Sequence, residues 1–394
     1  MVKILIADSL SVEVVKTLQG DGYTVHMDPS ITDKTLPDEI KDYDVLIVRS
    51  TKVTREAINR AKCLSLIVRA GAGVNTIDIK AASEKGIYVT NTPGCNADAV
   101  AELTIGQIIS CDRQIVQNSI NLRSGKWTKK KFLNSQGLRG RTLGLLGAGN
   151  VAQRVMKIAH AIGMNIIVWS YFFDDNDAKR LGVTRVLDKM DIAKNADVVS
   201  IHIPYMKETH HSISKEFFDA MKPGAILVNT ARGEIVDTDA LVEAIKEKGI
   251  RAGVDVYENE PTSGTADFNQ AEYAELLSAS TCHIGGSTEQ ASELIALETI
   301  RVVETYIKTG EALNCVNIDA RPKCDKVISI RHTGVLPHII QYLNESKAEI
   351  LSLNNQILTG GGSQTCNIRI KCNNIDNVKL DSIRGVLSAV CTAE

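Results

Sequence analysis

Residues 142–152 read TLGLLGAGNVA. A short apolar run, Leu143 to Leu146, stops at Gly147-Ala-Gly149, and a segment of helical character follows over 151–162. Strand, glycine turn and helix, in that order, make the turn on which a dinucleotide pyrophosphate rests. Gly147 permits the tight turn. Gly149 leaves the backbone open to a phosphate, and Ala152 lets the helix pack closely on the strand. The helix start then offers unpaired N–H groups and the positive end of its dipole. Taken alone the pattern is weak, because glycines are common in tight turns.

On the C-terminal side the same order of elements repeats. NIIVWSY (165–171), VVSIHIP (198–204), AILVNTAR (225–232), RAGVDVY (251–257) and SASTCHIGG (278–286) are strand-length runs, with helical segments over 214–221 and 239–248. Towards the N-terminus, KILIADS (3–9), YTVHMD (23–28), DVLIVRS (44–50), LSLIVRAG (64–71) and IYVTNT (87–92) alternate with helical spacing over 12–18, 56–62 and 77–85. Continuous apolar strands between helices predict parallel sheets covered on both faces. One long helix is expected over 98–122 as the link between two such domains, and an amphipathic one over 289–308 as the return. Pro322 marks a boundary. Beyond it the order reads β-α-β-β-α: VISIRH, VLPHIIQYL, AEILSLNNQIL, the turn TGGGS, TCNIRIKC, then a helix KLDSIRGVLSAV with little chain left for a last strand.

The chain has 394 residues, enough for two or three domains. At 44% hydrophobic, 23% charged and a net charge of −2, it has the makeup of a globular protein with no field favouring nucleic acid or membrane. MVKILIADS enters a strand directly, without the pattern of a signal peptide, and the apolar stretch 161–173 is too short to span a bilayer. The nine cysteines form no CxxC pair, so reduced thiols in the cytoplasm are expected. Cys282 is expected as a small buried strand residue. Four lysines in GKWTKKKF (125–132) make a basic loop.

Three residues at predicted strand ends carry the chemistry: Arg232, Glu260 and His283. In a parallel sheet those ends face the ligand crevice. A histidine passes protons near neutral pH, a carboxylate orients it, and an arginine grips a carboxylate with two hydrogen bonds. The set suits a 2-hydroxy acid that loses a hydride from C2 and a proton from its oxygen. Each residue alone has an ordinary structural reading; all three following a nucleotide turn do not.

GLLGAGNVAQ, NTARGEIVD, GVDVYENEP and HIGGST resemble the signatures of the D-isomer-specific 2-hydroxyacid dehydrogenases. VRSTKVT (48–54), VRAGAGVNTID (68–78), NTPGCNADAVAEL (91–103), GKWTKKKF and NCVN (314–317) resemble the phosphoglycerate dehydrogenase branch. The resemblance covers residues 1 to about 318. It implies an α/β fold of two Rossmann-like doubly wound parallel-sheet domains. Residues 1–97 with 287–316 would bind substrate and 98–286 the dinucleotide; 317–394 resemble an ACT-like regulatory α+β domain.

The resemblance further implies His283 as general acid/base, Glu260 as its partner, and Arg232 on the substrate carboxylate and C2 oxygen. The backbone of Arg69, Gly71, Ala72 and Gly73 would cradle that carboxylate. Arg49, Ser50 and Asn96 would hold a phosphorylated end, joined by Lys129 from a partner subunit. Gly147, Gly149, Asn150, Val151, Ser170, Pro204, Thr230, Ala231, Asp255 and Gly285 would line the cofactor, with Asp255 on the nicotinamide carboxamide. No metal is implied. The implied reaction is oxidation of 3-phosphoglycerate with NAD, the entry to serine synthesis. The alternatives are a glyoxylate/hydroxypyruvate reductase and a non-enzymatic, NAD-sensing corepressor-like binder. A homodimer or homotetramer is expected. The branch's ACT module suggests serine as effector, through a loop 332–336. One departure bears on the cofactor. Where the family has Asp after the second nucleotide strand this chain has Ser170, which does not repel a 2′-phosphate, so NADP stays open beside NAD.

Overall fold

The computed structural model describes residues 1–261, 265–319, 323–358, 365–375 and 379–393. They form two compact units, Met1–Asn317 and Ile318–Glu394. The predicted boundary at Pro322 and the predicted turn TGGGS lie outside the described residues.

In the first unit, strands β1 (Lys3–Ile6), β2 (Thr24–Met27), β3 (Val45–Val48), β4 (Leu66–Arg69) and β5 (Tyr88–Asn91) make a parallel sheet of order β2-β1-β3-β4-β5. Helices α1 (Val12–Gly20), α2 (Leu36–Glu39), α3 (Arg55–Arg60) and α4 (Ile79–Glu84) connect them. β3 reads VLIV and is buried throughout, as a strand covered on both faces must be.

A second parallel sheet has the order β12-β11-β10-β9-β6-β7-β8. Its strands are β6 (Thr142–Leu146), β7 (Asn165–Trp169), β8 (Thr184–Arg185), β9 (Val198–Ile201), β10 (Ile226–Asn229), β11 (Arg251–Val254) and β12 (Ala279–Ser280). Helices α5 (Ala97–Arg113) and α6 (Ile115–Arg123) precede it. Helices α7 (Asn150–Ala161), α8 (Asp175–Leu181), α9 (Lys189–Asn195), α10 (Lys215–Ala220), α11 (Thr238–Lys248) and α12 (Ala271–Leu276) lie within it. Ala101, Ile105 and Ile108 of α5 pack with Leu143 and Leu145 of the second sheet and with Ala152 of α7. Helix α13 (Glu289–Thr309), capped by the Thr288 side chain, returns Ile295, Ile300 and Val303 to the first sheet beside Ile4, Ile47 and Val68.

The second unit is an antiparallel sheet of order β14-β15-β13-β16: β13 (Lys326–His332), β14 (Glu349–Leu358), β15 (Thr365–Asn373) and β16 (Val386–Ala393). Helix α14 (Leu336–Glu345) buries Ile339 and Leu343 against Ile328, Ile330, Ile368 and Ile370. This is the split β-α-β arrangement with its second helix reduced to a 3-10 turn, Leu380–Ser382.

Four expectations are corrected. The helix over 98–122 is two helices, because Gln114 adopts a left-handed backbone (φ 50) between them. Of 278–286 only Ala279–Ser280 is strand; the remainder bends into a loop with His283 at φ 55. The last predicted helix is a turn followed by a full strand, because VLSAVCTA favours an extended chain that pairs with β13. Cys282 is exposed, because it lies in that loop. Among the described residues no helix is long and apolar enough to cross a membrane.

Candidate active site

Parallel strands deliver their carboxyl ends to one edge, and the predicted residues follow those ends. His283 comes after β12. Its N–H donates to the Asp255 carbonyl at 2.8 Å, and its Nδ1 lies 2.7 Å from Glu260 Oε2. Glu260 Oε1 accepts the Tyr257 N–H at 2.9 Å. Burial alone would raise the Glu260 carboxyl. Hydrogen bonds from His283 and the Tyr257 N–H, with the charges of His283 and Arg232, outweigh it and hold the group below its ordinary value. An ionised Glu260 keeps a hydrogen on Nδ1, so Nε2 is the nitrogen free to take a proton.

Arg232 follows β10. Asn229, itself buried, donates from Nδ2 to the Arg232 carbonyl at 2.8 Å and accepts the Ala231 N–H at 3.0 Å. The Arg232 guanidinium lies against the Gly71–Gly73 loop, where a side chain at Gly73 would sit 2.2 Å from its Nη2. That loop is tied back by Asn91 Nδ2 donating to the Ala72 carbonyl at 2.6 Å. The Gly71 N–H donates to the Arg69 carbonyl at 2.8 Å, so this member of the predicted backbone cradle is already engaged.

Arg49, Arg69 and Arg232 converge. Burial, then the charges of Arg232 and Arg49, bring Arg69 down to about 10, with Asp8 opposing. Asp8 does not neutralise the cluster with a side-chain pair. Its Oδ2 accepts the N–H groups of Arg49, Ser50 and Thr51 at 2.6, 3.1 and 3.1 Å and fixes the end of β3. The buried Arg69 Nε has no hydrogen-bond partner among the described residues. Crowded guanidinium groups with an unpaired buried donor fit an anion. Asn96 stands beside Gly286, where an added side chain would meet its Nδ2 at 2.7 Å. Lys129 sits on an exposed 3-10 turn, Lys129–Phe132, and pairs with no acidic group among the described residues.

The glycine turn fits a dinucleotide. Gly147 has φ 109, and a Cβ there would lie 2.5 Å from the His202 carbonyl oxygen. A Cβ on Gly149 would meet nothing within 4 Å, so space lies open above it. Among the described residues no side chain caps the start of α7, which leaves its N–H groups for a phosphate. The Gly147 N–H donates to the Trp169 carbonyl at 2.8 Å and brings half-buried Ser170 beside the turn. Val151 is the second residue of α7, and the Asn150 side chain packs on Gly94. Thr230 Oγ1 lies 2.9 Å from Thr104 Oγ1, and the exposed Pro204 gives its carbonyl to Thr209 Oγ1 at 2.8 Å. Asp255, buried, accepts from Thr281 Oγ1, the Ile284 N–H and the Gly285 N–H at 2.6, 2.9 and 2.8 Å. Its carboxylate therefore shapes the His283 loop from beneath.

Residues 105–285 match the D-isomer specific 2-hydroxyacid dehydrogenase, NAD binding domain. The chain is 40% identical over 266 residues to the hydroxypyruvate reductase of Thermotoga maritima, an alignment covering 67% of this chain and 85% of that protein. The chain belongs to the D-isomer-specific 2-hydroxyacid dehydrogenase family. It is also 39% identical over 325 residues to the D-3-phosphoglycerate dehydrogenase of Methanocaldococcus jannaschii, which covers 82% of this chain and 61% of that relative's length. An NAD+-bound 3-phosphoglycerate dehydrogenase of Entamoeba histolytica superposes with a TM-score of 0.67 at 29% identity, over 80% of this chain and 99% of that one. The second sheet thus lies in the family's NAD-binding domain. Three supports of the site escaped the sequence reading: Asp8, Asn91 and Asn229. All three stand at or just after strand ends, which is the signal that could have found them. Their partners lie in other segments.

Proposed function

We propose that this protein oxidises a phosphorylated D-2-hydroxy acid, 3-phosphoglycerate, with NAD. The observation that carries the reading is the Arg49–Arg69–Arg232 cluster beside the Glu260–His283 pair. One guanidinium suffices for a substrate carboxylate. The two further cations, one with an unpaired buried Nε, suit a phosphate at the other end.

In this reading Arg232 aligns the carboxylate and the C2 oxygen. His283 Nε2 takes the proton of the C2 hydroxyl as the C2–O bond becomes a carbonyl. The ionised Glu260 stabilises the imidazolium that results. Bound NAD supplies the acceptor for the hydride that leaves C2. Residues 1–97 with 287–316 hold substrate and 98–286 the dinucleotide. Ser170 places no carboxylate against a 2′-phosphate, but no arginine follows at once to bind one and Asp174 and Asp175 lie nearby, so NAD is favoured and NADP stays open. The exposed apolar side chains of α6 and the loop after it, among them Ile120, Leu122 and Trp127, suit contact with a second copy, whose Lys129 then joins the substrate phosphate. In the second unit both ring nitrogens of buried His332 are engaged, Nε2 with Asn355 Oδ1 at 3.0 Å and Nδ1 with the Val335 N–H at 3.2 Å. The 332–336 loop is therefore held by its own contacts, which favours a structural part for this unit over serine sensing.

The likeness to a hydroxypyruvate reductase supports a second reading, reduction of a small unphosphorylated keto acid. Initial rates with 3-phosphoglycerate and D-glycerate separate the two. A charge-assisted contact contributes about 1.5–3 kcal/mol, so kcat/KM is expected about ten- to a hundredfold higher for the phosphorylated acid. Arg69→Met should erase most of that margin. Equal rates on both acids would favour the reductase reading.

A further inference from the structure

The segment Asp255-Val-Tyr-Glu258-Asn-Glu260-Pro261 presents two glutamates, and each meets a histidine. Glu260 meets His283. Glu258 Oε1 lies 2.5 Å from His211 Nε2. The other Glu258 oxygen accepts the Thr238 hydroxyl and, at 3.3 Å, the Thr238 N–H. The Glu258 carbonyl accepts from Gln270 Nε2 at 2.6 Å. One residue is thereby tied to the loop before α10, to the start of α11 and to the residue preceding α12. Burial would raise the Glu258 carboxyl, but the bonds from His211 and Thr238 prevail and keep it low, so it stays ionised.

Between the two glutamates Asn259 holds φ 57, a left-handed conformation that asparagine tolerates better than other non-glycine residues and that reverses the chain between them. The turn is pinned on both sides. On one side the Tyr257 N–H donates to Glu260 Oε1 at 2.9 Å. On the other stands the Glu258 clamp. Gly233, next to Arg232, packs on the same backbone, where a Cβ would fall 2.0 Å from the Tyr257 carbonyl carbon. His211 is fixed in turn: its N–H donates to the Glu234 carbonyl at 2.9 Å, and its ring stacks on His210 at 4.0 Å.

We propose that Glu258, held by His211 and Thr238, is a positioning residue that sets the Asn259 turn so that the Glu260 carboxylate reaches Nδ1 of His283. The proposal rests on the dehydrogenase reading of Glu260 and His283. Glu258 touches neither of them. Its removal leaves the arginine cluster and the glycine turn in place but lets the Glu260 carboxylate drift from the imidazole.

The test is a mutant cycle read as kcat for 3-phosphoglycerate with NAD: wild type, Glu258→Ala, Glu260→Gln and the double variant. A displacement of about 1 Å costs about a hundredfold, so Glu258→Ala is expected to lower kcat by about ten- to a hundredfold. KM and the NAD dissociation constant should stay within about twofold, because the binding groups are untouched. The double variant should be no slower than Glu260→Gln alone, and Glu258→Gln, which keeps the acceptor for Thr238, should recover part of the loss. Multiplying losses in the double variant, or wild-type kcat in Glu258→Ala, would overturn the proposal. If Glu258→Ala does not fold, His211→Asn, which leaves Glu258 and Thr238 in place, enters the same cycle and decides. Should Glu260→Gln itself keep wild-type kcat, it is the dehydrogenase reading that fails.

Discussion

Arg232, Glu260 and His283 were legible as single residues because each follows an apolar strand, and a parallel sheet sends such positions to one crevice. Their supports were not. Glu258 stands two positions from Glu260 in the same acidic run, and nothing local says that its partner is His211, 47 residues earlier. Arg49 and Arg69 were legible as cations at the ends of β3 and β4; that Arg232 joins them was hidden, because it follows β10 of the other sheet. His202 gives a residue-scale test of stability. Burial brings its imidazole from 6.5 down to about 4. The unfolded chain therefore binds the proton first as pH falls. The stabilisation from keeping His202 neutral is complete above 6.5 and is lost as pH falls from 6.5 towards 4. Urea midpoints should decline across that window in the wild type and decline less in His202→Gln. Parallel declines would show that other groups carry the acid response.

At the scale of elements, the β-α alternation of the first unit was legible because continuous apolar runs such as VLIV and glycine-punctuated turns are local signals. The errors came where tertiary context prevailed. Nothing in the helical spacing of 98–122 marks Gln114 as the break between α5 and α6. The stretch over 386–393 reads as helix only when joined to the KLDSIRG before it; its own β-branched residues make β16 on the open edge of β13. Gly233 shows how tightly elements meet at the site. A methyl group there would collide with the backbone at Tyr257 and Glu258, which no side-chain rotation relieves. Gly233→Ala should cost about 3 kcal/mol or more in urea unfolding and lower kcat by displacing the Glu260 turn. An unchanged unfolding midpoint would refute this packing.

At the scale of the molecule, the division at Asn317 has a physical basis in the residues before it. The Val316 N–H donates to the Val89 carbonyl at 2.8 Å, and Cys315 bridges antiparallel to Thr90. Asn317 Oδ1 accepts the Val89 N–H at 2.8 Å, and its Nδ2 donates to the Ile87 carbonyl at 2.9 Å. This short segment closes the open edge of β5. A chain ending after Asn317 should fold cooperatively and keep its turnover, whereas one ending before Asn314 should melt at lower temperature; the reverse order in thermal melts would contradict the assignment. The central claim is that the first unit carries a dehydrogenase whose proton acceptor is His283. The most direct measurement is NAD reduction with 3-phosphoglycerate by the wild type and by His283→Ala, alongside their NAD dissociation constants. A positioned general base contributes about 10²–10⁴-fold, so kcat should fall by about that factor with NAD affinity unchanged. Wild-type turnover in His283→Ala would contradict the account.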